Sequence, residues 1–600
     1  MDRRMILAFV LIFLILTGYP LIMQKFFPQE APPAGAVVDR SDRSPADEAP
    51  TTVVQDDLAD TAMSPEAETT QENPPKDFAE SASGNPLAVV TRATPEDIVV
   101  RTPLYEMKIS TQGGRVVRWD GVGFSSWQGG VVNLVPEEIP NQGVDMVQFR
   151  ATDLDLGSVV YGADKERIDL VESSGSASLT LTVGLAGDLE VRKVFTFHSE
   201  TYDHQVDLFV VRAGPGAQAT LARVGAPEAI RLGWNQGIAP TERIQRLEAV
   251  AMRGMAQVGD ELHFKKHGDL AKSEEKVSGQ WRGSVRFAGL QDRYFTIVGM
   301  VPQGQGEPIE GTIRLGGDQE TGTQSWSIDL PARRGVGDEI AGARLDFYVG
   351  PQEAELLESY GVGLEKSMDL GWKVFRPLTE VVLWGLKLMH NFIPNYGVII
   401  IIFSVLTKMM FYPLTKTSTK SMKKMQELQP KLKALQEKYK DDKEKLNQAT
   451  MQMYKDEKVN PMSGCLPLLV QSPVFIALYQ ALNHTISLRG QPFVLWISDL
   501  SQPDAITTLP FSLPFLGSDL NVLPILMSVA MYFQTKLTPT SGAGGQMAAM
   551  NTMMPLFMIF IFYNMPSGLV LYWLVNTILQ GYQTWQIHRT APGSEGAQAT

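Results

Sequence analysis

A single cysteine, Cys465, in 600 residues excludes any intramolecular disulfide and any multi-cysteine metal site. It sits in an apolar stretch, as a packed small hydrophobe would. Histidine is scarce too, with seven scattered along the chain. His198 and His204 fall close together, but no third ligand joins them at metal-site spacing, and a strand end followed by a turn explains the pair better. Residues 86–350 contain no phosphate loop, nucleophile elbow or zinc spacing. No aspartate or glutamate lies inside the five apolar runs of the C-terminal half, and no inverted repeat is visible, which argues against a secondary transporter. No cofactor and no metal are expected.

What is there divides in two. Residues 26–365 hold about 52 acidic and 30 basic side chains, while the remainder is net basic. Such a split points to different compartments rather than to a nucleic-acid surface. Residues 5–23 are apolar and long enough to span a bilayer, with Arg3 and Arg4 before them and no small-x-small cleavage site after them. We read 1–26 as an uncleaved anchor. Residues 27–85, rich in Pro, Ala, Glu, Asp, Thr and Ser, cannot bury enough surface to offset ordering entropy and read as a disordered tether. From 86 to 350, short β-rich runs follow one another: Val116–Trp119, Ser178–Val183, Leu189–Phe197, Gln205–Val211, Tyr294–Val298, Ser325–Leu330 and Leu345–Val349. Alternation such as Leu179-Thr-Leu-Thr-Val183 fits strands with one buried face, and a large antiparallel sandwich is expected.

The last third is a membrane core. Gly363–Arg376 reads as an amphipathic helix along the interface, within an interfacial region 363–394. Apolar runs follow at 396–414, 464–483, 520–536, 552–563 and 566–583, inside a core of 395–585. The last two meet at Asn564-Met565-Pro566-Ser567-Gly568 and are taken as two spans, because one helix of that length would be about 48 Å, against a core of about 30 Å. Between the first and second runs, 416–460 carries twelve lysines against seven acids, so it belongs on the cytoplasmic side. Both termini, including the tail 586–600, then lie inside and the β domain outside. Met422, Met425, Leu428, Leu432, Leu435 and Tyr439 form a helical seam, Pro430 kinks it, and Lys443–Glu457 returns as a second helix. The lysines of this hairpin either form a solvated face or meet acidic headgroups or ribosomal RNA.

Lys408 stands inside the run 396–414. An ammonium in hydrocarbon costs about 2.5–3.5 kcal/mol on insertion scales, so a partner or a wet cavity is the default expectation. Ser404, Lys408, Phe411 and Thr415 share one helix face. Snorkelling of Lys408 toward the nearby Leu414 end is the competing reading.

Met410-Phe-Tyr-Pro-Leu-Thr-Lys416, Leu428-Gln-Pro-Lys431, Lys458-Val-Asn-Pro461, Gly464-Cys-Leu-Pro-Leu-Leu469, Pro473-Val-Phe-Ile-Ala-Leu-Tyr479 and Pro566-Ser-Gly-Leu-Val-Leu-Tyr572 resemble the core of the YidC/Oxa/Alb membrane insertases over about 365–585. With the anchor and the β domain, the whole chain resembles the Gram-negative members. The resemblance implies a multidomain protein of the inner membrane: a five-helix insertase core plus an N-terminal anchor helix, a periplasmic β-supersandwich and a cytoplasmic helical hairpin. It implies a hydrophilic groove open to the cytoplasm and to lipid, with a basic residue in it. The family's arginine is replaced here by Lys408, which keeps the charge but loses the planar fork. Ser404, Phe411, Tyr572 and Trp573 are expected with Lys408 in the substrate groove, and Lys423, Lys424, Lys431 and Lys433 at a ribosome contact. The implied protein is no enzyme but an ATP-independent insertase and chaperone, monomeric in the phospholipid bilayer. Its partners would be nascent membrane proteins, the Sec translocon and the ribosome. Met409, Met410, Met422, Met425, Met550, Met553 and Met554 either pack the core or offer an adaptable surface to clients. A tethered enzyme acting on carbohydrate through the β domain is the rival reading.

Overall fold

The computed structural model describes residues 87–589, apart from 91–93, 138–142, 244–247, 250, 272–276, 303–307, 319–321, 369–370, 372–373, 441, 460–465, 514–515 and 538–543. The expected anchor and tether, and Cys465, therefore lie outside the described residues. The described strands of the β domain run from Asp97 to Pro351, and a separate hairpin, Ala505–Leu513 with Gly517–Asn521, lies among the helices. Phe295–Met300 is buried throughout, whereas several others alternate buried and half-exposed residues, so Leu179, Leu181 and Val183 point to the core from Ser176–Leu185 while the intervening threonines point away. That strand pairs antiparallel with Leu189–His198, which pairs with Asp203–Arg212, which pairs with Glu339–Pro351. They belong to a fifteen-stranded sheet, and a second sheet of five strands covers the core. One pairing departs from the antiparallel expectation, since Val99–Arg101 runs parallel to Arg167–Asp169. His198 ends its strand and Asp203 opens the next, so the histidine pair marks a hairpin end. Fully buried Trp119, Trp326, Phe197 and Phe295 fill the interior, each burial worth about 1.5–3 kcal/mol.

Among the described residues, three short helices decorate the β domain: α1 (Ala217–Val224), α2 (His267–Ala271) and α3 (Ala354–Ser359). The helical part contains α4 (Arg376–His390), α5 (Tyr396–Glu427), α6 (Gln429–Lys438), α7 (Lys443–Asp456), α8 (Leu466–His484), α9 (Leu523–Leu537), α10 (Gly544–Phe562) and α11 (Ser567–Arg589).

Three local expectations are corrected. First, the amphipathic helix is α4, not Gly363–Arg376. Gly361, Gly363 and Gly371 adopt positive φ, which breaks any helix there, and only a 3₁₀ turn forms at Leu364–Ser367. Pro377, in the first turn of α4, is a helix starter that the apolar pattern obscured. Leu364 and Met368 pack under the β domain with Met255, Phe287 and Tyr348 instead of facing a membrane. Second, α5 does not stop at Leu414. It continues 32 residues through Pro413 into the polar segment, so the hairpin is a direct extension of the first core helix. Third, Pro430 does more than kink: Leu428 closes α5 and α6 starts at Gln429 with the proline in its first turn. The hairpin seam itself is present, with Leu428 and Leu432 buried and α7 returning where Lys443–Glu457 was expected. The apolar runs at 552–563 and 566–583 do separate into α10 and α11 across Asn564–Pro566.

Among the described residues, Tyr396–Glu427 is the one helix of sufficient length and apolarity to cross a membrane by those criteria alone. Polar side chains such as Asn576, Gln580 and Gln583 lower the apolarity of α11, and they lie where the site is found.

Candidate functional site: a polar pocket between helices

The helical core is dry at one end and polar at the other. Toward the β domain, Tyr396, Ile399 and Ile400 of α5 pack against Ala477, Leu478, Ala481 and Leu482 of α8 and Leu569, Val570 and Tyr572 of α11. The segment between α8 and α9 closes this end. Its Leu500 and Gln502 carbonyls accept from Gly568 N and Ser567 N at the start of α11, at 3.0 and 2.8 Å. Gly397 is required here, because a Cβ would lie 2.0 Å from the Phe493 ring. Asn395 caps α5, its Oδ1 accepting from Val398 N at 3.1 Å.

Two turns further along α5 the character changes. Ser404, Thr407, Thr415, Ser418 and Thr419 on α5, and Asn576, Thr577, Gln583 and Thr584 on α11, are all buried polar residues. Several satisfy themselves within their own helix: Ser404 Oγ donates to Ile400 O at 2.7 Å, Thr407 to Phe403 O at 2.9 Å, Thr419 to Thr415 O at 2.9 Å and Thr577 to Trp573 O at 2.8 Å. Such back-bonding lets a hydroxyl sit in an apolar bundle without a cross-helix partner. Across the helices, Gln583 Nε2 donates to Thr415 Oγ1 at 2.9 Å, and Lys408 Nζ donates to Gln580 Oε1. Lys408 is thus held by a neutral amide rather than by an acid.

Beside Lys408 lies a narrow recess of about 270 Å³, counting its open mouth, between α5 and α8, lined by Thr407, Lys408, Phe411, Leu414, Thr415, Pro467, Val470 and Gln471. Of the residues expected together, the structure brings Lys408 and Phe411 to it. Ser404 lies one turn deeper, fully buried. Tyr572 is fully buried and accepts from Gln471 Nε2 at 3.4 Å. Trp573 packs with Phe475 and Phe562, centroids 4.9 and 5.2 Å away, rather than lining the pocket. Thr407, Gln471, Gln580 and Gln583 were missed; the i, i+3 repeat of glutamines at 580, 583 and 586 was the available signal. Across the helix from this stripe, Leu406, Met409 and Met410 are exposed, as are Met553, Phe557 and Phe560 of α10. Those methionines form an outer apolar surface and do not pack the core, while Met422 and Met425 are half-buried. In the hairpin Lys423 is half-buried, and Lys424, Lys431 and Lys433 are exposed. Lys431 Nζ reaches Glu457 at 2.5 Å.

The β domain is tied to the closed end of this bundle. Arg489, 6% exposed, donates from Nε to Glu242, 5% exposed, at 2.6 Å, and to the carbonyls of Ser125 and Thr241 at 3.0 Å each. Arg293 donates to Asn483 O at 2.8 Å. Burial pushes Glu242 up, against the pull of Arg489.

Comparisons with known proteins identify the family of both parts. Residues 97–384 match the family model described as the YidC periplasmic domain, and 388–594 match that of the 60Kd inner membrane protein. A membrane protein insertase YidC of Syntrophus aciditrophicus is 32% identical over 604 residues, covering 98% of this chain and all of the relative. One of Geobacter metallireducens is 35% identical, covering 85% and 88% of the two chains. A solved structure of an active YidC insertase is 18% identical, with a TM-score of 0.36 over 84% of this chain and 95% of the other. With a periplasmic β domain joined to an inner-membrane helical core over its whole length, the chain belongs to the YidC family of membrane protein insertases.

Proposed function

We propose that this inner-membrane insertase works through the polar pocket at Lys408. The single observation that carries the reading is an ammonium held by Gln580 inside a bundle whose apolar runs contain no acid. Its charge is uncompensated there and free to attract the acidic tail of a client. The pocket lies on the polar side of the bundle while the β-domain side is closed by apolar packing, which supports entry from the cytoplasm and a blocked exit. A client's polar tail is drawn to Lys408, and its apolar segment then partitions into lipid along Phe411 and the exposed methionines. Burial of an apolar segment in lipid drives the reaction, so ATP is not required. Ser404 and Tyr572 act beneath the pocket, and Trp573 flanks it through Phe475. The termini and the hairpin lie in the cytoplasm, where Lys423, Lys424, Lys431 and Lys433 meet the ribosome. The exposed face of α4, with Val381, Trp384 and Leu388, lies along the membrane interface, where it can meet the Sec translocon. The chain acts as a monomer. The rival reading, a tethered carbohydrate enzyme, finds no support in relatives that are insertases.

The test is insertion of a Sec-independent client with an acidic tail into reconstituted vesicles. Lys408→Arg should retain insertion and Lys408→Ala should impair it. Normal insertion of every client by Lys408→Ala would remove the electrostatic step. Crosslinks from positions 404, 408 and 573 to a stalled nascent chain map the path.

A further inference from the structure

The β domain contains a second polar hollow, unrelated to the helices. It offers about 400 Å³ of space, counting its open mouth, between the Gly113–Gly114 turn with Arg115 and Val116 after it, the strands that carry Lys193 and His204, and the loop that carries Gln236. It adjoins a wider cleft of about 1250 Å³, sharing Gly143, Val144 and Asn235 with it. One ion pair in the hollow is complete: Lys193 Nζ donates to Asp145 at 2.5 Å and to Gly114 O at 2.6 Å.

Arg115 has no such arrangement. Its Nε and Nη1 are buried without a hydrogen-bond partner among the described residues. Burial lowers its pKa, and no acid counters the effect. Gln236, 2% exposed, spends its Nε2 on Val116 O at 3.2 Å and leaves Oε1 unbonded. His204, 1% exposed, leaves Nδ1 unbonded, and burial pushes it down to about 4, so it is neutral at physiological pH. Lys193 and Asp145 cancel, and among the described residues that line the hollow Arg115 is the remaining charge. Each orphaned buried group is costly, the more so where it is charged. Arg115, Gln236 and His204 all line this one hollow, so their orphaned groups belong to a single site rather than to scattered defects.

We propose that this hollow binds a carboxylate whose carrier also bears a hydrogen-bond donor. Arg115 takes a carboxylate oxygen on one of its unpartnered N–H groups. Gln236 Oε1 accepts from the adjacent donor, Phe347 and Trp234 wall the site, and the wider cleft receives the rest of the ligand. Two sources share this chemistry: a peptide's terminal carboxylate with its amide N–H, and a sugar acid with its hydroxyls.

The full-length protein in detergent micelles is titrated by calorimetry with two probe pairs. One pair is an acetylated tripeptide with a free C-terminus and its C-terminal amide; the other is glucuronate and glucose. The carboxylate member of one pair should bind at least about tenfold tighter than its uncharged partner, and that pair identifies the source. Arg115→Met should remove the preference and Arg115→Lys should keep part of it. Because the charge is unpartnered, Arg115→Met should melt at an unchanged or higher temperature. No binding by either carboxylate, no discrimination between partners, unaltered binding by Arg115→Met, or a fall in its Tm would each overturn the assignment.

Discussion

Lys408 could be found from its position alone, but its partner could not. An apolar run with one cation announces a buried charge, and the face shared with Ser404 and Thr415 predicts which way it points. Gln580 lies 172 residues later, and no spacing rule connects them. The pairing makes a double-mutant prediction. Gln580→Leu strands the ammonium and should cost about 1–3 kcal/mol, read as a lower Tm in detergent. Adding Lys408→Met should restore the Tm, yet insertion of acidic-tailed clients should stay low. Recovery of both together would mean the pair is structural only.

Glu248, at the seam between the β domain and the helices, makes a second prediction at this scale. It is 1% exposed and accepts from Thr241 N at 2.6 Å and Thr241 Oγ1 at 2.9 Å, while Asp292 approaches the same hydroxyl at 3.2 Å. Burial, and then the charge of Asp292, push Glu248 up to about 8. Arg489 and Arg293 face this seam from their own contacts with Glu242 and Asn483. A carboxyl whose folded pKa exceeds its unfolded value of 4.5 contributes stability that is present below the unfolded value and lost as pH rises through the folded one. Tm should therefore fall between about pH 4.5 and about pH 8, and Glu248→Gln should flatten that fall. An identical slope in the variant would refute the assignment.

Elements were legible wherever one periodicity held. The alternation of Leu179–Val183 and the seam around Leu428 and Leu432 each bury one face, and a residue's burial then follows from its register. Elements failed where two signals competed. The apolar residues of Gly363–Arg376 fit a membrane helix, but Gly361, Gly363 and Gly371 adopt conformations no helix allows, and Leu364 and Met368 turn inward to the β domain. At Leu414 the apolar run ends but the helix does not, because Thr415, Ser418 and Thr419 find partners within α5 and α11, so hydropathy marks the edge of lipid contact and not the end of hydrogen bonding. The hairpin Ala505–Leu513 with Gly517–Asn521 was hidden for the opposite reason, being too polar and irregular to show a pattern. The closure at Gly397 is testable at this scale. Gly397→Val drives a side chain into Phe493 and should cost about 1–3 kcal/mol by overpacking. Gly397→Val with Phe493→Ala should recover much of it in thermal melts. Failure to recover would show that Phe493 is not what fills that space.

On the scale of the whole molecule, composition revealed the two halves but not how they are joined. In the sequence Arg489 is simply the one lysine or arginine between the apolar runs 464–483 and 520–536. In the structure it is the cation of a nearly water-free pair with Glu242, which also accepts from Gln502. A charge pair so deeply buried contributes little net stability while intact, because desolvation offsets attraction, but removing one member strands the other. Arg489→Met should cost about 3–5 kcal/mol and uncouple the two halves, so that one calorimetric transition becomes two. Arg489→Met with Glu242→Leu replaces the pair by apolar contact and should return most of the lost stability. The closed end of the groove rests on the same loop, through Leu500 and Gln502 at the start of α11. Arg489→Met should therefore also raise ion leakage in reconstituted vesicles, and the double variant should suppress it. A single unshifted transition in Arg489→Met, with leakage at the wild-type level, would mean that the β domain is held by other contacts and that the seal does not depend on it.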